Sequence, residues 1–417
     1  MKPGQIKGSI IKHLVMNNYR PYERILKHFK ERGDIWMVSQ GEFFSWWLAR
    51  AEATLTITVQ DGVCQLATSL EQAAIEQVPG QFLDSLTAPC PDTDFSGELW
   101  ITIDCNIDEK ELLTEILKRE GILNYRFAAE GDFMLSKADM TPLLEEIKAK
   151  LGQRGRLFEE DVVTIKQLII DKLAARKLPL FRIWYYPRTN GVVNRAVFSP
   201  RYDVDRGITV LGRIRRLEEK YGVTSTLYIR AFCPFYTDQT VKELVSKPWC
   251  PEIALHGEFT TNARQFGSEA NAAAAEKQHL EQLIGRPILG VCMHGGELSN
   301  NTNGHTSNII ENVGLLYDTT QSMHYYFPFR RLIDGRLTNS YCLVHATGDI
   351  HVPANRAFER LFFEETVATM NEIYAQNGVF VVMFHPVYFG FFRYLAHPKN
   401  WGPFVKFFRH YFNRTGR

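Results

Sequence analysis

The chain has 417 residues, with 48 lysines and arginines against 47 aspartates and glutamates, for a formal net charge of +1. That balance, with no basic cluster besides the tail 409–417, excludes the electrostatic footprint of a nucleic-acid binder. The longest apolar run, 379–392, is interrupted by His385 and Pro386 and is too short and too polar for a membrane-spanning helix.

The length suits two domains, or one barrel with an appendage. The seven cysteines are odd in number, widely spaced and without a C-x-x-C pair, as expected of reduced thiols. Residues 1–20 contain no apolar core of the signal-peptide kind, and together these features predict a cytoplasmic protein.

Residues 19–32 predict an amphipathic helix with Tyr22, Ile25, Leu26 and Phe29 on one face and Gly33-Asp34 as its stop. Residues 35–38 read as a short buried strand. Ser39 then opens a second helix with Glu42 at the capping-box position, and its aromatics, Phe43 to Trp47, read as core. From 51 to 137 the pattern turns to alternation. Strands are expected at 54–59 and 63–66 across an Asp61-Gly62 turn and at 99–104, with a loop at 87–94 and a helix at 110–120. This is a small β-rich α+β module without a catalytic constellation. Charged amphipathic helices at 141–151 and 158–176 make 138–180 a helical connector.

The region 181–417 alternates strands and helices. Strand candidates are 196–203, 224–230, 252–256, 288–294, 315–318, 341–345 and 379–385, and helical patterns cover 209–221, 270–284, 307–313 and 358–376. Such alternation predicts a parallel sheet, closed into a barrel. Asp203, Asp205, His256, His294, Asp318, His345 and His385 fall at the C-terminal ends of these strands, where α/β barrels carry their active sites.

The region is organised around Arg201-Tyr-Asp-Val-Asp-Arg206. Side chains alternate along a strand, so Arg201, Asp203 and Asp205 point one way and Tyr202 and Val204 the other. Two carboxylates on one buried face need a metal, an arginine or a shared proton. Read alone, the stretch also fits a helix N-cap aspartate with a salt-bridged neighbour. The histidines at neighbouring strand ends favour the first reading. One aspartate and two neutral imidazoles form a hydrolytic zinc set with an open position for water. A second carboxylate can then act as base and a further histidine as acid.

Asp203-Val-Asp205, Glu252-Ile-Ala-Leu-His256-Gly257, Glu276-Lys277, Leu283-Ile-Gly-Arg-Pro287, Gly290–His294, Leu316-Tyr-Asp-Thr319 and His385-Pro386 come in an order that resembles the polysaccharide deacetylases, carbohydrate esterase family 4, in an Asp-x-Asp variant. The resemblance covers about residues 180–400. It implies a distorted seven-stranded (β/α) barrel and a divalent metal, most simply Zn2+. It implies Asp203 as base, Asp205 and His256 as ligands and His385 as acid. Two places depart from the pattern. Thr260 stands where the family has its second histidine, and Cys292 where it has the arginine that braces the catalytic aspartate. His294 is therefore expected as third ligand and Arg201 as the brace, leaving Thr260, Asp318 and His345 as candidates for holding substrate.

Residues 1–50 resemble the C-terminal end of such a barrel placed at the front of the chain, either the remnant of an upstream domain or a piece completing this one. The expectation is a metal-dependent deacetylase of an acetylated sugar or glycan precursor. The alternatives are a metal-dependent amidohydrolase of a non-sugar amide and a degenerate carbohydrate-binding barrel.

Overall fold

The nine residues Ala196–Val204 form a strand buried along its whole length, and the larger part of the fold is assembled on its two flanks. The computed structural model describes residues 18–60, 63–77, 101–103, 114, 125–127, 149, 181–206, 208–295, 305–320, 326–333, 336–349 and 357–389. The chain forms two compact units, one of Met1–Phe43, Ala196–Arg330 and Thr338–Arg417, the other of Phe44–Arg195 and Arg331–Leu337.

The main sheet has ten strands: β1 (Ile35–Met37), β2 (Ala196–Val204), β3 (Thr226–Ile229), β4 (Glu252–Gly257), β5 (Gly290–Met293), β6 (Tyr317–Asp318), β7 (Phe329–Ile333), β8 (Arg336–Cys342), β9 (Thr347–Gly348) and β10 (Val379–Phe384). Their order is β7-β8-β6-β5-β4-β3-β2-β10-β9, with β1 beside β2. The ladders from β8 through β6, β5, β4, β3 and β2 to β10 and β9, and that of β1 with β2, are all parallel.

The seven expected strands are present, mostly shorter than read, and β1, β7 and β9 join them. The sheet thus has ten strands rather than seven, and no ladder among the described residues joins β7 to β9. β1 corresponds to the strand expected at 35–38, and β9, with two residues, has no periodicity to read.

Helices α1 (Tyr19–Arg32), α2 (Gln40–Glu52), α3 (Leu211–Tyr221), α4 (Asp238–Val245), α5 (Phe259–Phe266), α6 (Glu269–Ile284), α7 (His305–Asn312) and α8 (Phe358–Ala375) fill the connections. The α1 helix buries Tyr22, Ile25, Leu26 and Phe29, the face its spacing predicts, and ends at Gly33 in the left-handed region (φ 76°). Helices α4 and α5 were not legible as separate elements. Each has eight residues, little more than two turns. No helix among the described residues is long and apolar enough to cross a membrane.

The N-terminal segment belongs to the same sheet. β10 pairs with β2 from Val197 to Tyr202, so it occupies one flank. β1 against Ala196–Phe198 and β3 against Arg201–Val204 must then share the other flank, end to end. The chain leaves β1 directly into α2, whose Ser39–Glu42 capping box forms as read, with reciprocal backbone–side-chain bonds of 3.3 Å each. Two more amides at this helix start are satisfied by the sheet, Gln40 N by Thr226 Oγ1 at 2.8 Å and Gly41 N by Glu252 Oε2 at 2.6 Å. A Cβ at Gly41 would lie 2.5 Å from Glu252 Oε1, so this approach needs glycine.

Behind the sheet, the buried Glu218 of α3 accepts from Tyr202 Oη at 2.9 Å, Ser225 Oγ at 3.0 Å and Tyr22 Oη at 3.1 Å. Burial pushes its carboxyl up to about 7 in spite of these donors. For an acid raised in the folded state, stability is fully present below the unfolded value and falls as pH rises through the folded one. Glu218→Gln is expected to match the wild type near pH 4 and exceed it above pH 7, by an amount on the order of 3 kcal/mol. Urea denaturation at both pH values measures this, and equal pH dependence of the two proteins would refute it.

In the second unit, Leu55–Gln60 and Val63–Thr68 form the expected antiparallel hairpin. Ile75–Gln77 pairs antiparallel with Phe181–Ile183, and Ile101–Ile103 pairs parallel with Tyr125–Phe127. A tight hairpin at Arg188–Val193 turns through Asn190 and Gly191, both with positive φ. Buried Arg50 donates through Nε to the carbonyls of Ile183 and Trp184. Apart from single positions, the expected loop 87–94, helices 110–120, 141–151 and 158–176, and tail 409–417 lie outside the described residues.

Candidate metal centre and the groups around it

The alternation read from 201–206 holds in three dimensions. Tyr202 and Val204 enter the hydrophobic core, and Tyr202 stacks on Phe384 at 5.6 Å. Arg201 and Asp203 take the opposite face, buried to 2% and 4% exposure. Arg201 Nη2 lies 3.0 Å from Asp203 Oδ2, while Nη1 donates to the carbonyl oxygen of Thr319 and, at 3.0 Å, to its hydroxyl. Burial pushes the Asp203 carboxyl up, but Arg201, then His256 and His385, prevail and hold it below the usual range. Cys292 has its Sγ 4.0 Å from the same Asp203 oxygen.

Removing one partner of a buried ion pair leaves an uncompensated charge. Arg201→Met is therefore expected to cost about 3–5 kcal/mol, and adding Asp203→Asn should recover part of it. Chemical denaturation of the two single variants and the double variant tests this; strictly additive losses would show that the two residues do not act as a pair.

Asp205, just past the end of β2, faces two imidazoles. Its Oδ1 lies 3.3 Å from His256 Nε2 and 3.2 Å from His294 Nε2, and the ring centroids are 5.0 Å apart. One ligand atom from each of Asp205, His256 and His294 falls within 4.8 Å of the others. The outer nitrogens are both engaged, His256 Nδ1 with the Cys292 carbonyl at 2.9 Å and His294 Nδ1 with Glu258 Oε1 at 3.0 Å. A carbonyl and a carboxylate only accept, so each Nδ1 carries a proton and, in the neutral rings, each Nε2 turns a lone pair inward. Asp205 Oδ1 is buried and has no hydrogen-bond partner.

Three acceptors converging at this range repel unless protons or a cation lie between them. Neighbouring ligands of a tetrahedral zinc-type ion sit roughly 3.4 Å apart. The set therefore fits a divalent cation in ligand type, tautomer and spacing. Burial opposes ionisation of both Asp205 and His294. The two facing imidazoles nevertheless hold Asp205 well below the usual range, and Asp205 with Glu258 lifts His294 to about 9.

His385 stands just after β10, its Nε2 4.0 Å from Asp205 Oδ2. Its Nδ1 and its backbone N–H both bond Asp349, at 2.7 Å each. Burial opposes protonation, but Asp349, Asp205 and Asp203 together raise the imidazole to about 9.

The remaining expected residues are more dispersed. Thr260 is an exposed residue of α5 and donates to Glu269 Oε1 at 2.7 Å. Asp318 is buried, and its Oδ1 takes the backbone N–H of Thr320 at 2.8 Å. His345 was read as a strand end, but β8 stops at Cys342 and His345 lies in the following connection. It is buried there, with Nδ1 3.4 Å from the Thr319 carbonyl that also receives Arg201. The strand-end residue is instead Asp349, immediately after β9.

Besides Asp349, one further residue of the site is absent from the sequence reading. Glu258, two residues after His256, orients His294 and is itself gripped by Arg230 through bonds of 3.0 and 2.8 Å. The two-residue period beyond His256 was the signal that could have found it.

No family model matches the chain, and no curated protein matches it. Among solved structures, it is similar to a Bordetella bronchiseptica protein assigned as a polysaccharide deacetylase of O-antigen biosynthesis, with 17% identity over 46% of this chain and 72% of that one and a TM-score of 0.31. A protein assigned as a polysaccharide deacetylase from Mycobacterium smegmatis shares 16% identity over 51% and 83% of the two chains, with a TM-score of 0.36. An allantoinase shares 15% identity over 52% and 83%, with a TM-score of 0.35. The structural neighbours thus include polysaccharide deacetylases, while the chemistry of the site rests on its own geometry.

Proposed function

We propose that this protein is a divalent-metal-dependent hydrolase that removes an acetyl group, held as an amide or ester, from a sugar or glycan precursor. The observation that carries the reading is the convergence of Asp205, His256 and His294, each imidazole fixed in the ligating tautomer, between a braced carboxylate on one side and an imidazole paired with a carboxylate on the other. A divalent cation there supplies a Lewis acid for the acyl carbonyl and for the attacking water.

The chain's own residues do the proton work. Asp203 is held ionised by Arg201, and its Oδ1 is buried without a partner, free to take the proton of a water placed before it. His385, protonated at neutral pH and fixed by Asp349, gives a proton to the departing amine or alcohol. The sugar identity of the substrate rests on the motif order described above.

Metal analysis with an acetate assay tests the reading. The expected result is about one divalent cation per chain, lost in Asp205→Asn, with acetate released from some member of a panel of N- and O-acetylated sugars and oligosaccharides. A protein that takes up no divalent cation would favour the binding barrel. A loaded protein that hydrolyses small non-sugar amides, but none of the panel, would move the substrate class.

A further inference from the structure

We propose that Asn18, which directly precedes α1, is a positioning residue for the His385–Asp349 pair; this rests on the acid role proposed above for His385. Asp349 is fully buried. Its Oδ1 takes His385 Nδ1, and its Oδ2 takes the His385 backbone N–H at 2.7 Å and Asn18 Nδ2 at 2.6 Å. Asn18 comes from 331 positions away in the chain and is itself fully buried. Its backbone is tied on both sides, N–H to the Tyr388 carbonyl and C=O to the Tyr22 N–H, each at 2.9 Å.

The geometry gives this amide a definite task. A carboxylate can turn about its terminal bond, and the useful orientation presents Oδ1 in the plane of the imidazole. Two donors on Oδ2 hold that orientation. With Oδ2 held by these donors, Oδ1 stays aimed at His385 Nδ1. The backbone donor belongs to His385 and moves with it. Asn18 is the side chain among the described residues that anchors Oδ2 from elsewhere in the fold, on the same segment that carries β1 into the sheet. This segment therefore sets catalytic geometry as well as completing a ladder.

Asn18→Leu keeps the volume and removes the donor. Release of an amine needs a proton, whereas nitrophenolate leaves without one. The expected result is a fall in kcat of about tenfold or more on N-acetylated chito-oligosaccharides, with KM unchanged and with kcat on 4-nitrophenyl acetate within about twofold of wild type. Tyr22→Phe, which loses a bond to Glu218 one turn along the same helix, should lower stability without splitting the two substrates. Equal loss on both substrates in Asn18→Leu, or no loss, would overturn the proposal.

A second readout needs no turnover. In protein with 15N-labelled histidine, the Nδ1–H signal of His385, identified by its absence in His385→Gln, should shift in Asn18→Leu and stay in Tyr22→Phe. An unmoved signal overturns the positioning role. If the wild type releases acetate from neither probe, the proposed activity fails, and this shift alone decides whether Asn18 sets the pair.

Discussion

Asp203→Asn is expected to lower acetate release by roughly a hundredfold to ten-thousandfold while leaving the bound metal in place. The two halves of that expectation come from different neighbours. Asp203 is bonded to Arg201 at 3.0 Å, and the two imidazole nitrogens that converge on Asp205 approach its Oδ1 at 3.3 and 3.2 Å. Replacing a carboxylate by an amide of the same shape removes the proton acceptor but still offers Arg201 an oxygen. The ligand set is untouched, so metal content per chain should stay at the wild-type value. Turnover and metal content measured on the same preparation check this. Parallel loss of both would place Asp203 among the ligands, and unchanged turnover would remove it from the reaction.

His294→Ala is expected to cost more than about a hundredfold in metal affinity, since losing even an outer-shell partner of a ligand typically costs 10–100-fold. This is the most consequential substitution for the triad, because Thr260, which stands where the family pattern has its second histidine, is exposed and engaged with Glu269. Glu258→Gln provides the graded comparison. It keeps an oxygen for His294 Nδ1 but lowers the basicity that the carboxylate lends to the ring, so its loss should fall within the 10–100-fold range. Competition against a chromophoric chelator gives both affinities. An undiminished affinity in His294→Ala would show that the ion is held without this residue, and the reading of the triad would fall with it.

Much of the site was legible because it follows from the covalent geometry of a strand. The two-residue alternation of Arg201, Asp203 and Asp205 against Tyr202 and Val204 is local, and the buried strand obeys it. The same rule placed His256 and His294 near strand ends. Glu258 was within reach of that rule but lies beyond the strand, where the chain turns into α5 and the pattern no longer announces itself. Asp349 was hidden because β9 has two residues and the apparent strand end was His345.

The chain by itself determined which side chains share a face, which helices are capped at Ser39 and Gly33, and which carboxylates needed a partner, since all of these depend on neighbours within a few positions. It did not determine convergence. That Asp205 meets His256 and His294, that Arg201 reaches the Thr319 carbonyl, that β1 fills the flank of β2 below β3, and that Asn18 anchors Asp349 are decided by the parallel register of strands far apart in sequence. Register is set by the summed burial and hydrogen bonding of the whole sheet. A partner 331 positions away leaves no periodicity in the chain, and only the tertiary structure brings it to hand.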